Sequence, residues 1–254
     1  MKIIMRADDL GMSEAVNYGI YKSICDGVIS CTGLMPNMEA AQHGYDLLKT
    51  MDICIGQHTN ISLGKPICDP LKIPTLVNDE GLFYSSSEIN HRSTDTIDIQ
   101  ECELEIEAQL HRFLEITGKY PDYFEGHAVF SKNYFQALGN VAKRYHLFFV
   151  NPMDKNWADK YHVIGMPFFM RDKNGMYDPY DYFKKNIEFI RNHDCTIAIF
   201  HPGYLDQYLL KHSSYTLIRT IECEFLCSQW LKELFNQYQI QVVDFRNFDK
   251  EVKF

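Results

Sequence analysis

Short apolar runs alternate with longer amphipathic stretches along nearly the whole chain. Residues 2–7, 28–35, 52–58, 121–129, 147–150, 195–201 and 239–245 read as strands, bounded by Gly, Pro or charged residues. Residues 13–27, 39–51, 98–118, 132–146, 180–194 and 214–239 carry helical periodicity, with Ser13 as an N-cap and Gly27 and Gly118 as stops. Such a βαβα order demands a mostly parallel sheet with helices outside it, as a barrel or a doubly wound sheet. A chain of 254 residues suits either as one domain, and no repeat, low-complexity tract or linker divides it. Residues 151–178 read as irregular. Residues 59–90, rich in Pro, Gly, Ser and Asn, make too long a loop for a mere connection and are expected to form a functional lid or binding loop.

In a parallel α/β fold the C-terminal ends of all strands open on one face, where active sites form. Four strands end in groups capable of chemistry: Asp8-Asp9, His58, Glu125-Gly126-His127 and His201-Pro202-Gly203. A carboxylate and two imidazoles with room for water make a catalytic metal site. A bound ion acidifies water and polarises a carbonyl. A nearby carboxylate can take the proton, and an imidazole can protonate the leaving group. One of the two adjacent Asp residues as ligand and the other as base accounts for the pair, and the cation offsets their repulsion. Arg6 and Asp8 share strand parity, so Arg6 is expected to point inward and pair with Asp8 or Glu125. Asn60, polar at the start of the long loop, favours a pocket there. Aromatic residues in loops, Tyr204 among them, are candidates to line a binding groove, while Phe130, Tyr134 and Phe135 read as packing.

The net charge of −9 and the absence of Lys/Arg runs argue against nucleic acid and anionic membranes as partners. No apolar run approaches the about 18 residues of a membrane span, and Asp8 interrupts any signal-peptide core. The expected location is the cytoplasm. The eight cysteines then read mostly as small buried hydrophobes rather than disulfides.

The blocks RADDLG (6–11), GQHTNISLGKP (56–66), FEGHAV (124–129) and FHPGY (200–204), with VNYGI (16–20), resemble the signature of the YdjC-like carbohydrate deacetylases in order and spacing. The resemblance implies an irregular TIM-like (β/α) barrel, a divalent metal held by Asp9, His58 and His127, Asp8 as general base and His201 as acid. The implied reaction removes an N-acetyl group from an acetylated amino sugar or oligosaccharide, with Arg6, Asn60, Glu125 and Tyr204 as substrate contacts. Two imidazole ligands suit zinc or another first-row ion; the family likeness adds magnesium. The chain departs from the family where Val129 replaces a second His and where Arg6 replaces a small polar residue. The alternatives are a metal phosphoesterase acting on a small phosphorylated substrate, or a non-catalytic carbohydrate-binding or regulatory protein on the same barrel. A homodimer is compatible with the helical faces.

Overall fold

The chain's structure is a computed structural model that describes residues 1–248. Its elements run β1 (Lys2–Leu10), α1 (Glu14–Cys25), β2 (Cys31–Leu34), α2 (Ala41–Leu48), β3 (Cys54–Thr59), α3 (Ser86–Asn90), α4 (Ile99–Thr117), β4 (Phe124–Gly126) and α5 (Lys132–Arg144). There follow α6 (Lys155–Tyr161), β5 (Val163–Gly165), α7 (Pro179–Arg191), β6 (Cys195–Phe200), α8 (Gln207–His212), α9 (Leu217–Cys227), α10 (Gln229–Gln237) and β7 (Gln241–Val243). The sheet order is β4-β3-β2-β1-β6-β5, with β7 on the first residues of β1, and every ladder is parallel.

Strand parity sorts the side chains into layers. Ile3, Met5 and Ala7 of β1 pack outward with Val16, Ile20, Phe183, Phe225 and Leu226 of the surrounding helices. Ile4, Cys31, Cys54, Tyr123, Val163, Cys195, Ile197 and Val243 form one inner cluster. That cluster draws on strands from both flanks of the sheet, so the sheet curls around it as an irregular TIM-like barrel. Three cysteines are part of this inner packing, and all eight are free thiols. Inward residues of the same parity, one or two steps toward the strand ends, are Arg6, Asp8, His58, Glu125 and His201. The sequence pattern thus puts an apolar plug at the bottom of the barrel and charged groups at its mouth.

Three expectations need correction. Residues 147–150 make a single bridge, Phe149 to Phe124, instead of a strand. Residues 151–178 hold α6 and β5, which are too short to show a period. The stretch 214–239 is broken at Ser228, whose hydroxyl caps α10 by accepting from Leu231 N at 3.3 Å. No helix among the described residues is long and apolar enough to cross a membrane.

The long loop is not a free lid. It carries a 3-10 turn (Pro70–Lys72) and α3, and it buries Ile61, Ile73, Leu76, Val77 and Phe83 in a second core with Ile106 and Leu110 of α4. Its inner side lines the cleft described next.

Candidate active site

At the end of β1 the ladder slips: Ala7 pairs with Thr32 and Leu10 with Leu34, so Asp8 and Asp9 together oppose Gly33. This is a β-bulge, a device that re-aims side chains. Asp9 sits at φ 74°, a left-handed conformation that Asp tolerates better than most residues. Neighbours on a regular strand point to opposite faces; the bulge lets both carboxylates serve one mouth. Gly33 leaves the room, since a Cβ there would stand 2.8 Å from His58 Cβ and 3.3 Å from Glu125 Oε1.

Three atoms converge at this point. Asp9 Oδ1 lies 3.3 Å from His58 Nε2 and 3.2 Å from His127 Nδ1, and the two nitrogens are 2.9 Å apart. Around an ion with bonds of 2.0–2.1 Å, tetrahedral ligand atoms stand about 3.3 Å apart. The trio therefore fits a divalent ion. Two further observations agree. Asp9 Oδ1 is buried and accepts no well-formed hydrogen bond. His58 gives its Nδ1 side to Glu125 Oε1, which turns the Nε2 lone pair toward the trio, as carboxylate partners do for metal-bound histidines. Asp8, His58 and Glu125 form a second such group, but there a guanidinium already supplies the positive charge. Arg6 Nε reaches Asp8 Oδ1 at 2.7 Å and Arg6 Nη2 reaches Asp8 Oδ2 at 2.8 Å and Glu125 Oε2 at 3.5 Å. The parity expectation for Arg6 holds with both partners.

The electrostatics follow from burial and charge count. Burial would raise the Asp9 carboxyl, but Arg219, with His127 and His58, holds it well below the usual range. Burial likewise opposes ionisation of Asp8, and Arg6 outweighs it and lowers its pKa. Burial opposes a charge on His58, yet Glu125 and Asp8 hold its pKa well above the ordinary value. Three carboxylates (Asp8, Asp9, Glu125) face two guanidiniums (Arg6, Arg219), and the His58 proton answers the excess. A cation at the trio would take that proton's place. His201 differs: burial pushes it down to about 4, so it is neutral at pH 7.

A cleft of about 1620 Å³ lies above, with Asp9, His127, His201 and Arg219 on its floor and Phe83, Phe130, Phe168, Phe169, Tyr208 and Tyr215 in its walls. Asp8, Arg6, His58 and Glu125 are buried directly behind that floor, Arg6 hydrogen-bonded to Asp8 and Glu125 to His58. Asn60 does not reach the cleft either. It is buried, with its amide donating to Leu63 O at 2.7 Å and accepting from Ser62 N at 3.0 Å, and it fastens the start of the long loop. Tyr204 lies in a separate surface depression with Lys22, Cys223 and Cys227, because Gly203 packs on Gly19 of α1 and Tyr204 N donates to Ala15 O. Phe130, expected in packing, is 64% exposed at the cleft. Val129 points away into the second core among Tyr134 and Leu138, so the departure there removes nothing from the floor.

Sequence reasoning missed Arg219 and Glu222 on α9. Arg219 Nη2 donates to Asp9 Oδ2 at 2.7 Å. Glu222, fully buried, accepts from His201 N at 2.6 Å, from the Tyr177 hydroxyl at 2.8 Å and from the Tyr215 hydroxyl. Burial raises its pKa to about 7. The available signal was an Arg and a Glu three apart on a mostly apolar helix, so that one face carries two charges.

Fold and site define a parallel α/β barrel protein with a carboxylate–imidazole centre at the strand ends. A family model described as YdjC-like protein matches residues 2–237, and the chain belongs to that family. Carbohydrate deacetylase 2 of Listeria innocua is 31% identical over 99% of this chain and 100% of its own. A carbohydrate deacetylase of Halalkalibacterium halodurans is 32% identical over 89% of this chain and 95% of its own. A solved structure of a candidate cellobiose-phosphate cleavage protein from Enterococcus faecalis V583 shares the fold at a TM-score of 0.82 and 22% identity, covering 96% of this chain and 97% of that one.

Proposed function

We propose that this chain is a metal-dependent carbohydrate deacetylase that hydrolyses the N-acetyl group of an acetylated amino sugar or oligosaccharide to acetate and the free amine. The observation that carries the reading is the convergence of Asp9 Oδ1, His58 Nε2 and His127 Nδ1 beside Asp8 and His201, in a chain whose full-length relatives bear that name. The cleft exceeds the about 300–1,000 Å³ usual for small-molecule pockets, and its aromatic walls suit sugar faces.

Asp9, His58 and His127 would hold the ion. Once bound, a divalent ion of this kind supplies polarisation of the acetyl carbonyl and acidification of water, and two imidazoles favour zinc or another first-row ion over magnesium. Arg6 keeps Asp8 ionised at neutral pH, so Asp8 can take a proton from the attacking water. The water oxygen bonds to the acetyl carbon, and the C–N bond breaks as the amine nitrogen gains a proton through His201. Because burial keeps His201 neutral at rest, the proton it gives is one taken up during turnover.

The test is acetate release from N-acetylglucosamine oligomers, with metal content measured on the same samples. Asp9→Asn should lose metal and turnover together. Asp8→Asn should keep the metal and lose turnover by roughly 10²–10⁴-fold, the usual worth of a general base. Metal lost from Asp8→Asn and kept in Asp9→Asn would reverse the two roles. Activity that survives exhaustive chelation would remove the metal from the reading.

A further inference from the structure

Arg219 is 1% exposed, and its guanidinium is braced by the chain itself. Its Nε donates to Tyr215 O at 2.7 Å and its Nη1 to His201 O at 3.4 Å, while Nη2 donates to Asp9 Oδ2 at 2.7 Å. Two backbone carbonyls therefore fix the fork before it meets the carboxylate. The two oxygens of Asp9 are not equivalent as a result. Oδ2 is bound by Arg219; Oδ1 faces His58 and His127 and accepts no hydrogen bond.

We propose that Arg219 is a positioning residue that restricts Asp9 to one oxygen toward the divalent ion, keeping a ligand position open at the cost of affinity. The inference rests on the reading of Asp9, His58 and His127 as the metal centre. A carboxylate free at both oxygens can bind an ion through both, filling a position that water or a carbonyl oxygen would otherwise use. A fixed positive charge hydrogen-bonded to a ligand carboxylate also repels the ion, most strongly where water is excluded. Arg219 thus acts against tight binding and for an open position. A lysine cannot replace it, because one ammonium cannot brace two carbonyls and a carboxylate in one plane.

Cobalt(II) tests this, because its visible absorption weakens as coordination rises toward six. Apo full-length chain, Arg219→Gln and Arg219→Lys are titrated with cobalt(II) against a competing chelator, with near-UV circular dichroism as the check on folding. Arg219→Gln should bind cobalt(II) about tenfold or more tightly than the unaltered chain, with weaker absorption per bound ion. Arg219→Lys, which keeps the charge and loses the fork, should change affinity less than about threefold and still show weakened absorption. If Arg219→Gln folds and binds cobalt(II) equally or more weakly with unchanged absorption, the inference is overturned. If Arg219→Gln fails to fold, unchanged absorption in Arg219→Lys overturns it. If the unaltered chain takes up no cobalt(II), or Asp9→Asn takes it up equally well, the metal-centre reading itself has failed, a distinct result from either of these.

Discussion

Residues 60–90 and residues 166–178 both line the cleft, and they are held in opposite ways. The first segment is bolted to α4. Glu105, fully buried, accepts from Ile67 N at 3.0 Å and Cys68 N at 2.8 Å. Gln109 exchanges hydrogen bonds with both backbone groups of Asn60, at 3.0 and 2.6 Å, and Glu101 accepts from Thr75 N at 2.8 Å. The second segment leaves Phe168 at 78% and Met170 at 89% exposure. Its ties are Met166 N to Ile197 O at 2.9 Å, the Tyr182 hydroxyl to Pro167 O at 2.6 Å, Tyr177 to Glu222, the Asp178 cap of α7, and ring contacts of Phe169 and Tyr177 with Tyr182 and of Arg171 with Tyr215. Loop length is therefore a poor guide to freedom. The longer segment has its own core and belongs to the fold, while the shorter one has little buried area and sits at the low-stability end of the molecule.

That contrast can be broken by substitution. Glu105→Ala should have the largest effect on stability, because it strands two part-buried backbone N–H groups and leaves a void where the fully buried carboxylate stood. We expect a loss on the order of 3 kcal/mol, which scanning calorimetry would read as a fall in Tm of about 6–12 °C. Glu222, the anchor of the second segment, should give a pH signature. Its folded pKa of about 7 lies above the ordinary 4.5, so the folded state holds the extra proton between those values and stability from this group is lost as pH rises through that window. Relative to the unaltered chain, Glu222→Gln should gain stability from about pH 4.5 to pH 7, by on the order of 3 kcal/mol at most, and then level off. A difference independent of pH would show that Glu222 is ionised throughout. Tyr177→Phe removes one hydrogen bond and should cost about 1 kcal/mol, with a several-fold fall in kcat/KM for an acetylated oligosaccharide. Phe168→Ala should leave Tm unchanged and raise KM by about two- to tenfold, the scale of one aromatic contact. If Phe168→Ala destabilised the chain more than Glu105→Ala, the contrast between the two walls would be wrong.

The barrel and most of its mouth were legible because period-2 strands and 3.6-residue helices leave regular marks. His58, Glu125 and His201 follow from strand ends, and the Arg6–Asp8 pairing follows from parity alone. The division of labour between Asp8 and Asp9 does not follow from parity, which sends neighbours to opposite faces; a bulge decides it, and no local composition announces a bulge. Residues 151–178 read as irregular in the sequence because a three-residue strand and a seven-residue helix are too short to repeat. Arg219 and Glu222 leave no local mark because their partners lie outside their helix: Arg219 binds a carboxylate 210 positions away, and Glu222 binds the backbone of His201 and the hydroxyls of Tyr177 and Tyr215. Residue type alone makes Tyr204 a candidate for the cleft, and the contact of Gly203 with α1 turns it to the other side.

The left-handed backbone at Asp9 also bears on how the site can change. Few residues other than Gly occupy φ 74° without strain, and Asn and Asp are the chief exceptions. A β-branched residue there would disturb the bulge and with it Asp8. Asn preserves the backbone and deletes only the charge. The gentlest path of drift at this position therefore keeps the backbone turn but leaves the Arg219 guanidinium without its buried counter-charge: the chemistry is lost, and stability is lost with it.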